Sequence, residues 1–367
     1  LNLAILLYTV ACLLSTCLGV MTGRVDPKTG FFFVLKYVEY FILFFMVVNH
    51  VRDTAQVKRF IFCLLLTCLI TCVIGMLQIP AGGRLTAPFE GERGEPNTFG
   101  GYLLFLGAVT AGILSQAGTT RTKHVLIGLL VAIIPPFLFT LSRSSYFGFI
   151  PALLVLGILM KKRVIVIGIF MLLLAVSPLF MPLQVKDRIL YTFNQPQHHR
   201  QIQVGDVRID TSTSARIRSW QEAIADWARK PLFGYGVTGY RFVDAQFPRV
   251  LTETGIIGLL AFLYLLYCTG KVALENLRVL KDPLFRGITI GFIAGYTGLL
   301  FHSVGANTFI IVRIMEPFWF IAGLVVVLPV VESQSSVEAV DATAAAAGPI
   351  PSVGSLSRSD RADGFTV

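Results

Sequence analysis

HVLIGLLVAIIPPFLFTLSRSSYFGFIPALLVLGILM, residues 124–160, is two apolar runs parted only by Ser142-Arg143-Ser144. Each run, 124–141 and 145–160, approaches the length needed to cross the ~30 Å hydrocarbon core of a bilayer. The connection is so short that the two predict a tight helical hairpin. Working outward, further apolar runs lie at 2–20, 32–50, 58–79, 99–116, 164–183, 250–270, 286–305 and 309–331. Composition agrees. Hydrophobic residues make up 54% of the chain and charged residues 14%, where soluble domains carry roughly a quarter charged residues. Mean hydropathy is +0.72. The fold class expected is all-α, a polytopic membrane helix bundle of about ten spans.

The formal charge of +10 is read as Lys and Arg gathered in short cytoplasmic loops, not as a nucleic-acid surface. The first run is too long and too weakly basic at its start for a secretory signal. Residue 1 is Leu, so the N-terminus is expected to be truncated, with one or more spans missing. All six cysteines (Cys12, Cys17, Cys63, Cys68, Cys72 and Cys268) fall inside apolar runs and none forms a C-x-x-C pair. They read as small hydrophobes, with neither disulfide nor metal site expected.

Orientation follows from the loops. Every even-numbered loop is basic: Arg52, Lys58 and Arg59; Arg121 and Lys123; Lys161, Lys162 and Arg163; Lys271, Arg278, Lys281 and Arg286. The short odd loops are sparser in basic residues, and the third carries Glu90, Glu92 and Glu95. Even loops are therefore expected in the cytoplasm and odd loops outside. The organisation read from this is spans one to seven over 1–183, an outward loop over 184–249, spans eight to ten over 250–331, and a disordered cytoplasmic tail over 332–367. The tail is rich in Ser, Ala and Gly and has no apolar period.

Within the outer loop, Ser214 to about Arg229 predicts a helix capped by Thr213 or Ser214. Ile217, Trp220, Ile224 and Trp227 form its apolar stripe, and both tryptophans read as packing residues. Pro231-Leu-Phe-Gly-Tyr-Gly-Val-Thr-Gly239 then breaks it. No strand precedes these glycines and no Lys-Ser/Thr follows, so a nucleotide loop is excluded. Pro248 falls in the first turn of span eight.

Charge near the membrane is where chemistry is sought, since an Arg at mid-bilayer costs at least ~2.5–3.5 kcal/mol. Arg143 sits between two spans, either as an interfacial anchor or as a ligand-binding group. Arg216 and Arg218 lie about 200° apart around a helix and cannot face one target. Arg218 is spaced to pair with Glu222, and Arg216 shares the stripe with Trp220. Arg249 and Glu253 are spaced as a helix-start ion pair, and Asp244 lies on the approach to that span. Asn97 follows Pro96 as a cap candidate. Arg313 and Glu316 read as an intramembrane pair and His302 as a satisfied interior histidine. His198 and His199 read as a solvated loop pair, either able to titrate near neutral pH. Guanidinium groups match phosphate oxygens with two parallel donors. A lipid diphosphate is the natural partner for arginines at an outer membrane surface, with a carboxylate or His taking a proton from an attacking hydroxyl.

The residues resemble those of the O-antigen ligase and O-antigen polymerase family of bacterial membrane glycosyltransferases. Four pieces over about residues 80–260 carry the likeness. Glu95-Pro96-Asn97-Thr98-Phe99-Gly100 looks like the family's Pro-Asn-x-Phe span opening, and Leu141-Ser142-Arg143-Ser144 like its Ser-Arg turn. Ser214-Ala-Arg216-x-x-x-Trp220 with Pro231 and Gly234-x-Gly236 is similar to its Arg-x-x-x-Trp helix and glycine turn. Leu251-Thr-Glu253-Thr-Gly255-x-x-Gly258 looks like the start of the following span. The resemblance implies a fold like that of lipid-phosphate-sugar glycosyltransferases. It also implies glycan transfer from an undecaprenyl-diphosphate-linked oligosaccharide to a glycan or lipid acceptor at the periplasmic face of the inner membrane, with no cofactor, metal or nucleotide sugar. Arg143 and Arg216 would hold the diphosphate, with Arg249 a third candidate and Asn97 and Trp220 as further site residues. Ligases place a His nine residues before the matching Glu; here that position is Asp244, and the Asn that usually follows is Ala245. The departure favours a polymerase over a ligase and leaves Asp244, Glu253 or a loop His as the base. A transporter or an export scaffold, with arginines that merely touch anionic lipid, is the competing reading.

Overall fold

In the computed structural model the described residues are 1–88, 90, 94–160, 203–204, 207–208 and 211–346. They are almost wholly helical: α1 (Asn2–Met21), α2 (Pro27–His50), α3 (Thr54–Gln78), α4 (Pro96–Gln116), α5 (Thr120–Phe139), α6 (Arg143–Leu159), α7 (Thr211–Trp227), α8 (Gln246–Val279), α9 (Pro283–His302) and α10 (Val312–Ala346). A two-residue antiparallel pair, β1 (Gln203–Val204) and β2 (Val207–Arg208), precedes α7. Eight of the helices are long and apolar enough to cross a membrane, and α6 is a shorter apolar one. These match nine of the ten expected runs; the seventh, 164–183, lies outside the described residues, as do His198 and His199.

Helix starts follow local chemistry. Asp26, Asp53, Thr119, Ser142 and Asp282 each accept a backbone N–H from three residues on, and Pro27, Pro96 and Pro283 open their helices where no N–H is needed. The hairpin is as tight as expected: α5 ends at Phe139 and α6 starts at Arg143, with Leu141 at φ 50°. The tail is a correction. α10 runs on to Ala346, well past residue 332. Ala342, Ala344, Ala345 and Ala346 are strong helix formers, and helix propensity needs no apolar face.

The bundle is built around α4 and α9, the spans most fully buried in it. Gly287, Gly291 and Gly295 repeat every fourth residue along α9. A Cβ on Gly291 would lie 2.5 Å from the Val109 Cα of α4, and one on Gly112 would lie 2.3 Å from the Gly291 nitrogen. Gly148 of α6 meets the Gly298 carbonyl in the same way, at 2.4 Å. Small residues let backbones close up where lipid supplies no hydrophobic drive between helices. Phe105, Phe292, Tyr296 and Phe318 then fill the space between α4, α9 and α10.

α8 is broken. At Gly255 the backbone turns to φ 68°, ψ −169°. Span eight reads in the sequence as one continuous apolar run, 250–270, because one glycine does not betray a break. The helix bonds lost there are replaced by the 231–236 turn. Ile256 N–H donates to the Pro231 carbonyl (2.8 Å) and Ile257 N–H to that of Leu232 (3.3 Å). In return Tyr235 N–H and Gly236 N–H donate to the freed carbonyls of Thr252 (2.9 Å) and Glu253 (2.8 Å). Ser15 Oγ of α1 lies 2.6 Å from both the Phe233 and the Glu253 carbonyls. A Cβ on Gly255 would sit 2.2 Å from the Leu232 carbonyl oxygen, and one on Gly234 2.4 Å from that of Thr252. Only glycines permit both the backbone angle and the approach.

Odd-numbered loops meet at one end of the bundle. Val25 touches Gly236, Arg84 donates to the Thr140 carbonyl, Ser142 to Asn97, Ser144 to the Gly305 carbonyl and Asn307 to that of Val243. At the other end the second loop meets α10 through Thr54 and Ser335, and the eighth through Lys281 and Glu332.

Gly291→Leu should cost about 3 kcal/mol or more, at or above the upper end of the overpacking range, because backbone and not a side chain stands in the way. Gly128→Leu, where a Cβ meets nothing within 4 Å, should be neutral. Thermal unfolding of the two variants in the same detergent checks this.

Candidate functional site at the odd-loop end

The first turn of α4, the start of α6, α7, the approach to α8 and the turn after α9 converge here. Asn97 was a cap candidate; it is instead inside α4, because Pro96 takes the first helical position and Glu95 the cap. Its Oδ1 accepts from Ser142 Oγ (2.7 Å) and its Nδ2 donates to Glu95 Oε1 (2.8 Å). Ser145 Oγ bonds Ser142 Oγ at 2.8 Å. A Cβ on Gly100 would fall 2.1 Å from Ser145 Oγ, so that glycine admits the serines. The α5–α6 turn that carries Arg143, first residue of α6, is thereby tied to α4. Arg84 braces the same turn from the third loop through the Thr140 carbonyl (3.2 Å).

α7 begins at Thr211, three residues before the expected start. Its inward face is Arg216, Trp220 and Ala223; Ile224, expected on it, is exposed because packing against the 240–245 segment rotates the helix. Trp220 packs with Tyr240 on Ala223, Val243 and Ala245, the packing role read from sequence. Tyr240 donates to Asp226 Oδ2 (2.7 Å); burial and this bond push its hydroxyl pKa up. Glu222 pairs with Arg241, not with Arg218, since the chain folds back beside the helix.

Two ion pairs flank the start of α8. Arg216 puts both Nε (3.3 Å) and Nη2 (3.0 Å) on Asp244 Oδ2, and their side chains are 26% and 33% exposed. Arg216 Nη1 lies 3.7 Å from where a Cβ on Gly305 would stand, and Ser144 Oγ 2.5 Å from the same point. Arg216 therefore borders the residue that follows Arg143. The second pair is sealed. Arg249 Nε meets Glu253 Oε1 at 3.0 Å with side chains 11% and 7% exposed. Glu253 Oε1 also accepts the Thr238 N–H (3.2 Å), and Phe33 and Phe242 cover the guanidinium. Glu253 thus looks toward the glycine turn, and the structure does not bring it to Asp244.

Sequence reasoning missed Ser142, Ser144, Gln246 and Asn307. The motif's Ser-Arg pair and Asn307 in the short connection between two spans were the available signals. Gln246 Oε1 accepts the Phe309 N–H (2.9 Å) and Asn307 Nδ2 donates to the Val243 carbonyl (2.9 Å), binding the post-α9 turn to the Asp244 segment. His302 is fully buried. Its Nδ1 is 2.7 Å from Thr308 Oγ1, while its Nε2 has no hydrogen-bond partner among the described residues. It is half satisfied, where sequence suggested a satisfied one. Arg313 and Glu316 do pair, at 3.8 Å. Among the described residues no three His, Cys, Asp or Glu side chains gather as a metal site would require.

Arg249→Met or Glu253→Gln alone should each cost about 3–5 kcal/mol, since each strands a buried partner. The double variant should recover part of that loss, which thermal unfolding of all three in detergent measures.

Residues 126–263, which run from α5 into α8 and leave out Asn97 and the turn after α9, match the family model described as O-antigen ligase. The chain matches no curated protein. The broken α8, the glycine turn and the Arg216 helix all lie inside the matched stretch, and over that stretch the chain is similar to the O-antigen ligase family.

Proposed function

We propose that the protein transfers a glycan from undecaprenyl diphosphate to a sugar hydroxyl, as a polymerase of a surface polysaccharide, at the periplasmic face of the bacterial inner membrane. The observation that carries this is the accessible Arg216–Asp244 pair beside the Arg143 turn. A part-exposed pair of this kind is worth about 1 kcal/mol or less. A diphosphate, with more charge and more acceptor oxygens, displaces the carboxylate from the guanidinium. The exchange leaves Arg216, with Arg143, on the diphosphate and frees Asp244 as a base.

In the transfer the acceptor oxygen bonds to the anomeric carbon while the bond from that carbon to the diphosphate oxygen breaks. The electron pair leaves with undecaprenyl diphosphate, whose charge the arginines stabilise, and the hydroxyl proton passes to Asp244. Glu253 and Arg249 act one step back: their buried pair holds the turn that closes the α8 break. Ligation to lipid A-core is the second reading. It needs the same donor site and differs in the acceptor, and the departure at Asp244 from the ligase histidine favours the polymerase.

Arg143→Ala and Arg216→Ala should abolish polymer at normal protein level, with Arg216→Lys keeping part of it. Asp244→Asn should lower turnover about 10²–10⁴-fold, the range of general-base contributions. Normal polymer in the arginine variants sinks the proposal. Deletion of the gene followed by glycan analysis separates polymerase, which leaves single-repeat lipid-linked intermediates, from ligase, which strands full-length chains on the carrier.

Topology has its own check. In a cysteine-free background, Gln221→Cys in α7 should react with a membrane-impermeant thiol reagent in cells with an opened outer membrane. Lys58→Cys should react only after the inner membrane is breached.

A further inference from the structure

The opposite end of the bundle carries a feature that glycan transfer does not use. The second half of α8 runs on to Val279, and between it and α9 lies a groove of about 400 Å³. Its apolar wall is Leu266, Tyr267 and Leu274, and its polar end carries Lys271, Glu275 and Arg278. Tyr267, Leu274, Lys271 and Arg278 recur at three- and four-residue steps and so share one helix face. Tyr296, largely buried, floors the groove: its hydroxyl is used on the Leu266 carbonyl (2.8 Å), which leaves only an edge of its ring at the lining. Gly270 keeps the floor open, since a Cβ there would stand 3.2 Å from that ring.

We infer that this groove binds one anionic glycerophospholipid, acyl chain along Leu266, Tyr267 and Leu274 and phosphate between Lys271 and Arg278. Tyr267 is 63% and Leu274 45% exposed, an apolar face that runs straight into the cations. Lys271 and Arg278 are two turns apart, about 10 Å along the axis, a span that admits a headgroup phosphate between them. Glu275 is the one carboxylate of the rim; it lies 3.8 Å from Lys271 and leaves the rim one positive charge in excess. Arg286, the next cation, is occupied with the last carbonyls of α8, those of Leu277 (3.0 Å) and Leu280 (2.8 Å). Basic pockets between spanning helices are where anionic lipid headgroups settle, each cation adding to the attraction. A soluble phosphate would gain nothing from the apolar wall, so the lipid is the occupant. This inference holds whether or not the transfer reaction is as proposed.

The test is native mass spectrometry of the full chain in detergent, offered equal amounts of phosphatidylglycerol and phosphatidylcholine. Retention of phosphatidylglycerol at about tenfold or more over phosphatidylcholine is expected, consistent with two cations at an anionic headgroup. K271Q/R278Q should lose that preference, and K58Q/R59Q, which removes equal charge at the same end, should keep it. R278Q alone, expected to lose part of it, serves if the double variant does not fold. Equal retention of the two lipids overturns the inference. So does a preference that survives K271Q/R278Q, one that falls equally in K58Q/R59Q, or displacement of the lipid by an equal concentration of glycerol 3-phosphate.

Discussion

A buried peptide group left without a partner costs about 1–3 kcal/mol, and α8 breaks at a buried residue, Gly255. Everything at the odd-loop end depends on how that cost is met. The Pro231–Gly236 turn returns to the break and exchanges four backbone hydrogen bonds with residues 252–257. The loop is thus stitched into the bundle, and α7, which leads into the turn, is docked by the same bonds. Trp227 Nε1 on the Pro231 carbonyl (3.0 Å) and Tyr235 Oη on that of Asp226 (2.8 Å) join helix to turn. Arg216 owes its position to this chain of contacts.

The two ion pairs show how one residue chemistry serves two ends. Arg249–Glu253 is walled by Phe33, Phe242 and the Thr238 amide, and removal of either partner strands a charge. Arg216–Asp244 has a third of the carboxylate's surface in the open. The difference lies in burial, since each pair is one arginine and one carboxylate at about 3 Å. A binding site needs the exchangeable pair; a joint needs the locked one. On the proposed mechanism that difference favours Asp244 over Glu253 as the base, where sequence alone leaves Asp244, Glu253 or a loop His.

The centre of the bundle obeys a different constraint. α4 and α9 approach through Gly112, Gly287 and Gly291 until backbone touches backbone, and this brings Asn97 and His302, near the odd-loop ends of those two helices, beside each other: a Cβ on Gly101 would meet the His302 ring at 3.2 Å. The serines at 142, 144 and 145 reach across from α6 because Gly100 and Gly305 have no side chains to block them.

By itself the sequence determined that the chain is a stack of apolar helices, roughly where each lies along the chain, and which loops share an end. Apolar run length, prolines, capping Asp, Ser and Thr residues and the alternation of basic loops are local properties, and they survive whatever the helices pack against. Through the Ser-Arg turn, the Arg216–Trp220 spacing and the glycine pair it also carried the likeness to the family whose model matches residues 126–263. The break at Gly255, the rotation of α7 that exposes Ile224, the pairing of Glu222 with Arg241 and the unequal burial of Asp244 and Glu253 were decided only by tertiary structure. Each depends on a partner tens to hundreds of residues away, such as Ser15 on the Glu253 carbonyl, and no local spacing encodes such a contact. Backbone hydrogen bonds in particular carry no side-chain signature, so the joint that organises the site is visible in the sequence only as four glycines.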